Sequence, residues 1–163
     1  MKKLMSLFMV VVLMFSFACV NVSASTEVAL KNGAKLVMYD DNEVAPFLRN
    51  RGLSEFNFSI SSVAVCPQVS SIKSSSGVRN IELGSGCTSI GIEFDSAPSE
   101  RLYFSVYDVT TGEYLTEGTN NLYGPIFMSR VFSFEDLTAG HEYRINLSAC
   151  LSGMSVSGYI YTY

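Results

Sequence analysis

From Glu55 onward the chain is written in short alternating segments, and this pattern restricts its fold more than any other feature. Phe56, Phe58 and Ile60 stand two residues apart; Thr88, Ile90, Ile92 and Phe94 repeat the spacing, and so do Leu102, Phe104 and Val106, with Tyr103, Ser105 and Tyr107 between them. A strand turns successive side chains to opposite faces, so a spacing of two gathers the apolar residues on one face. Sheets covered on one side only need that pattern. Turn residues interrupt it at residues 71–77, at Ala97-Pro98 and at Thr110-Thr111-Gly112-Glu113. Further segments at 78–83, 114–116, 126–134, 143–149 and 156–163 bring the total to seven or eight strands in about 110 residues. No stretch after residue 24 keeps a helical period. Short strands with frequent turns predict an all-β domain, a two-sheet antiparallel β-sandwich. Alternation alone also fits a jelly roll or a small barrel.

The beginning of the chain is of another kind. Met1-Lys2-Lys3 leads into an apolar run over residues 4–20, and Val22-Ser23-Ala24 follows. A charged start, an apolar middle and small residues before a cut predict a signal peptide over residues 1–24 and a secreted, extracellular protein. The alternatives are a membrane anchor, through an uncleaved signal, and a lipid carried on Cys19. Removing the signal takes away Lys2 and Lys3, so 11 basic residues become 9 against 15 acidic ones and the net charge moves from −4 to −6. Such a chain lacks the positive charge that binding to nucleic acid or anionic lipid requires, and no stable membrane insertion is expected after cleavage. Residues 25–51 are the least regular part and read as an N-terminal arm or edge strand, flexible in part, in which Asn32-Gly33 can close a hairpin. Residues 52–163 are expected to form the sandwich.

The stretch Asp136-Leu137-Thr138-Ala139-Gly140-His141-Glu142-Tyr143 carries a resemblance. Leu137, Gly140 and Tyr143 resemble the corner that leads into the sixth strand of fibronectin type III and related immunoglobulin-like domains. A similar leucine-glycine-tyrosine ending occurs in small jelly-roll domains attached to secreted peptidases. The resemblance implies a sandwich in which the Tyr143 hydroxyl bonds back to the backbone upstream, with Tyr143, Ile145, Leu147 and Ala149 on the core face. It implies no particular activity, because such modules serve many functions.

Three cysteines follow the leader: Cys66, Cys87 and Cys150. Export favours disulfides, and an odd number leaves one thiol over. In the topology that the resemblance implies, Cys87 and Cys150 lie at opposite ends of the domain. Cys66 is then the expected partner, with Cys87 or with Cys150.

Chemistry-bearing residues are few. His141 is the only histidine; it stands beside Glu142 without a nucleophile motif and reads as a solvated loop residue. Asp40-Asp41-Asn42-Glu43 lacks the spacing of a calcium loop and reads as a turn. Asp95, Asp108 and Glu113 read as caps of strand ends. Gly84-Ser85-Gly86 precedes no lysine and no helix, so it is a turn and not a phosphate loop. No catalytic residue, metal site or cofactor is implied. The tyrosines form the remaining set: Tyr159, Tyr161 and Tyr163 alternate along the last strand, and Tyr103 and Tyr107 share the outward face of another. If the two strands belong to one sheet, as the resemblance implies, the five tyrosines line one surface able to stack on sugar rings or meet a protein. The expected function is that of a secreted, non-catalytic binding or adhesion module for an extracellular glycan or protein. The alternative is a structural protein that assembles with copies of itself.

Overall fold

The computed structural model describes residues 25–40, 45–49, 55–66, 68–72, 80–126, 129–151 and 153–163. Residues 1–24, with Cys19, and Asp41, Asn42 and Glu43 lie outside the described residues. Alternation produces strands where it is strongest. Those of the first sheet are β1 (Thr26–Ala29), β2 (Lys35–Tyr39), β3 (Glu55–Ile60), β6 (Ile90–Phe94), β10 (Val131–Glu135) and β12 (Val156–Thr162). The second holds β4 (Ser70–Ile72), β5 (Ile81–Glu82), β7 (Leu102–Asp108), β8 (Glu113–Tyr114), β9 (Tyr123–Ile126) and β11 (Glu142–Ala149). A single α-helical turn, α1 (Pro46–Arg49), is present among the described residues.

The first sheet runs in the order β1-β2-β10-β6-β12-β3, and the second in the order β4-β11-β7-β8, with β5 on β11 and β9 on β7. Every pairing between these strands is antiparallel. The inner faces meet in one apolar core. Phe94, Phe132, Phe134 and Ile92 of the first sheet and Phe104, Leu147, Ile145 and Tyr143 of the second are at most 1% exposed. Each buried aliphatic or phenyl side chain of this kind contributes roughly 1.5–3 kcal/mol relative to exposure. The molecule is a β-sandwich, and neither sheet closes into a barrel.

The chain crosses repeatedly between the layers. It passes from β3 to β4, back to β6, over to β7 and β9, back to β10, over to β11 and back to β12. The four-strand rows β10-β6-β12-β3 and β4-β11-β7-β9 therefore follow the connectivity of a jelly roll. The resemblance to fibronectin implied a different arrangement, with the strands of Tyr103 and Tyr159 in one sheet. Here β7 and β12 lie in opposite sheets. The segment 126–134, expected to be one strand, is divided for the same reason: Ile126 pairs with Leu102 of the second sheet, whereas Val131–Glu135 pairs with β2 and β6 of the first.

Residues 25–51 contribute more than an edge. The hairpin around Asn32-Gly33 places β1 at the margin, and β2 stands between β1 and β10 with Leu36 and Val37 buried. Beyond it, α1 lies on the outer face of the first sheet. Phe47 there meets Val37, Tyr39, Val131 and Tyr161 in a second, smaller apolar cluster. Gly91 of β6 makes this possible, because a Cβ at that position would fall 2.7 Å from the Phe47 ring.

Candidate functional site

The corner at residues 136–143 is built by local chemistry. Leu137 is buried in the core, its amide bonded to the carbonyl of Thr88. Gly140 adopts a φ of +79°, a left-handed conformation open to glycine at little cost. The Thr138 amide donates to the Tyr143 hydroxyl at 2.9 Å, and the hydroxyl donates in turn to the Thr138 carbonyl at 3.4 Å. Tyr143, Ile145, Leu147 and Ala149 all face the core.

His141 is not a free loop residue. Its Nδ1 lies 2.8 Å from Oδ2 of Asp108, and the His side chain keeps only 25% of its exposure. Asp108, at the end of β7, is 4% exposed, and its Oδ1 accepts the amides of Thr110 and Thr111 at 3.0 and 3.1 Å. Burial pushes the Asp108 carboxyl up, but the hydrogen bond and charge of His141 and the bonds from Thr111 outweigh it, so the group stays below its ordinary value. The pair ties the turn after β7 to the corner before β11. The bond is one structural link across 33 residues of sequence. Among the described residues no three His, Cys, Asp or Glu side chains group as metal ligands would.

The five tyrosines do not share a surface. Tyr103 and Tyr107 point outward from the second sheet, and Tyr159, Tyr161 and Tyr163 outward from the first, on the opposite side of the sandwich. On the first sheet the face is largely covered: Tyr161 is 7% exposed, its ring 5.4 Å from that of Phe47, and Tyr163 stacks on Phe47 at 5.2 Å. Tyr159, at 36%, is the open member. Beside them Glu135 accepts from Ser133 at 2.7 Å and from Tyr39 at 2.8 Å, with Lys35 at 3.4 Å. This half-buried polar cluster holds the carboxylate in its charged form. Burial raises the Glu135 carboxyl, and those donors and the Lys35 charge bring it below its ordinary value.

On the outer face of the second sheet Tyr103 and Tyr107 are both half-buried. Tyr107 packs against Tyr114 with the rings tilted at 53° and 4.7 Å between centroids, and the Arg144 guanidinium stands 5.8 Å from the Tyr107 ring. Between the tyrosines runs a polar ladder across three strands. Ser71 donates to Oδ1 of Asn146 at 2.6 Å, and Nδ2 of Asn146 donates to Ser105 at 3.0 Å. At the far end Tyr103 lines a cleft of about 800 Å³. Its other walls include Cys66, Glu117, Asn120, Tyr123 and Pro125. The residue signal for this wall was weak, because Glu117 and Asn120 come from a loop of no regular pattern and Tyr123 from a four-residue strand.

A volume of this size is within the range of small-ligand sites, which join aromatic walls to a few polar groups. Tyr103 and Tyr123 supply the first; Glu117 and Asn120 supply the second.

Fold and site together define an all-β sandwich with an aromatic cleft beside its second sheet. Compared with known proteins, the chain matches no family model, no curated protein and no solved structure.

Proposed function

We propose that this is a secreted, non-catalytic binding module whose ligand is an extracellular glycan, held in the cleft at Tyr103. The observation that carries the reading is the composition of that cleft: Tyr103 and Tyr123 beside Glu117 and Asn120, around about 800 Å³. Sugars present apolar ring faces and outward hydroxyls together. A tyrosine ring stacks on the first, and a carboxylate or amide accepts or donates to the second. A concave wall suits a short saccharide better than the flat face of a folded protein, whose interfaces spread over about 800 Å² per partner. The leader-like residues 1–24 support export, and the acidic balance of the chain agrees with an uncharged ligand.

The test is a glycan array probed with the full chain, followed by Tyr103→Ala. The substitution is expected to weaken binding by at least about tenfold, as loss of a central aromatic contact does, while the melting temperature stays within a few degrees. A blank array would overturn the reading. So would binding that survives Tyr103→Ala and is lost instead on changing Tyr159.

A further inference from the structure

All three cysteines after the leader are free thiols in the structure, and the sheets sort them. Val65 bridges Ala149 in parallel, the Ala149 amide donates to Ala64 at 2.9 Å, and the Cys66 amide donates to the Ala149 carbonyl at 3.2 Å. The two backbones thus run side by side and in the same direction. One residue beyond the bridge on each of them stands a cysteine, Cys66 on one and Cys150 on the other. The bridged residues Val65 and Ala149 lie about 5 Å apart, as neighbouring strands do, and a turn at Cys66 and a bend at Cys150 follow directly, which keeps the two cysteines near one another. Disulfides usually hold their α-carbons about 4.4–6.8 Å apart, a span within reach of two residues that each follow a bridged one. Cys66 is exposed and Cys150 half-buried, so a reagent in solution reaches the pair.

Cys87 is excluded by its position. Its neighbours Leu83 and Thr88 are bonded to His141 and Leu137, at the corner end of β11. Cys150 follows the other end of that strand, and at about 3.4 Å per residue the eight residues of β11 span on the order of 24 Å. Cys66, fixed beside Ala149, is as far from Cys87 as Cys150 is.

We propose that Cys66 and Cys150 form an intramolecular disulfide when the chain meets an oxidising disulfide donor, leaving Cys87 as a thiol. The thiolate of Cys66 attacks one sulfur of the donor, such as glutathione disulfide, and displaces one thiolate, which takes up a proton. The Cys150 thiolate then attacks the Cys66 sulfur and displaces the second. One external disulfide is reduced to two thiols, and two protein thiols are oxidised to one bond. Cys66 is a wall of the cleft at Tyr103, so the bond fixes that wall to the second sheet. The inference stands on backbone pairing and is independent of what the cleft binds.

Trypsin places the three cysteines on separate peptides, residues 52–73, 80–101 and 145–163. The full chain is equilibrated with glutathione disulfide, blocked with iodoacetamide, denatured and digested without reduction, and the peptides are read by mass spectrometry. Peptide 52–73 is expected joined to 145–163, with the mass of the two less two hydrogens, and 80–101 is expected alkylated. Cys87→Ser should leave the joined pair unchanged. Cys150→Ser should leave 52–73 carrying glutathione. A link from 52–73 to 80–101, a link between two copies of 52–73, or alkyl groups on all three peptides would overturn the proposal.

Discussion

His141 Nδ1 and Asp108 Oδ2 lie 2.8 Å apart across 33 residues of sequence, and the pair fastens the end of β7 to the corner that opens β11. Asp108 is the centre of the arrangement. Its carboxylate holds the amides of Thr110 and Thr111 as well as the imidazole, in a site where it is 4% exposed. Removing that acceptor strands several donors at once. Asp108→Ala is expected to cost about 2–4 kcal/mol in urea unfolding, since it removes three hydrogen bonds to one buried carboxylate. His141→Ala leaves Asp108 with its two amides and should cost less than half as much.

The same carboxylate makes the corner acid-sensitive. Its pKa is lower in the folded chain than the ordinary 3.8. A depressed carboxylate contributes stability that is fully present above its unfolded value and disappears as pH falls through the folded one. Melting temperature is therefore expected to fall as pH drops below about 4, and the slope should be shallower in Asp108→Asn, which has no proton to bind. An Asn variant with the same acid slope as the parent would assign the loss to Glu135 and other carboxylates.

Tyr143→Phe tests the corner itself. The ring remains in the core, where the tyrosine is 1% exposed, and only the hydroxyl is lost. The amide of Thr138 then has no partner within the corner. A loss of about 1–2 kcal/mol is expected from unfolding curves, with unchanged slope against denaturant.

The corner was legible because it is local. Leu137, Gly140 and Tyr143 lie within seven residues, and the residue types themselves report a turn of known geometry. The faces of β6, β7, β11 and β12 were legible for a similar reason, because alternation fixes which side chains share a side. What alternation does not carry is the neighbour of each strand. Whether Tyr103 and Tyr159 belong to one sheet depends on pairings between segments some 50 residues apart, and the jelly-roll order separates them. Burial of Tyr161 was hidden too, because the residue that covers it, Phe47, comes from the irregular arm. His141 looked solvated for want of a partner in sequence; its partner lies on another strand. The cleft is assembled from Cys66, Tyr103 and the segment 117–126 that runs through β9, three places with no common pattern.

Alkaline titration should report on the tyrosines that burial raises, Tyr39 with Tyr143 and Tyr163. Burial raises the Tyr39 pKa from 10.0 to about 12, with the Glu135 carboxylate adding to the effect against a lowering by Ser133. A group raised on folding contributes stability that is present below the unfolded value and is lost as pH rises through the folded one. The tyrosinate absorbance near 295 nm is expected to rise in two stages, with the raised Tyr39, Tyr143 and Tyr163 in the second. The second stage should coincide with loss of β-sheet circular dichroism between about pH 10 and 12. Tyr39→Phe removes one ionising group from that second stage and should delay the unfolding.

Gly91 and Phe47 make the sharpest test of the covered face. Alanine at Gly91 alone places a Cβ 2.7 Å from the Phe47 ring, a distance that packed atoms do not tolerate, so the ring and α1 must lift from the sheet. A cost of about 1–3 kcal/mol is expected, the usual penalty for overpacking. Phe47→Ala alone empties the centre of the cluster formed by Tyr39, Val37, Val131 and Tyr161, and should cost about 3–5 kcal/mol. In the double variant the new methyl group enters space that the phenyl ring has left. Alanine also gives up less backbone freedom on folding than glycine does. Gly91→Ala is therefore expected to be neutral or slightly stabilising in the Phe47→Ala background, so that the two changes are strongly non-additive. Simple additivity of the two unfolding energies would mean that α1 does not rest on β6 in solution.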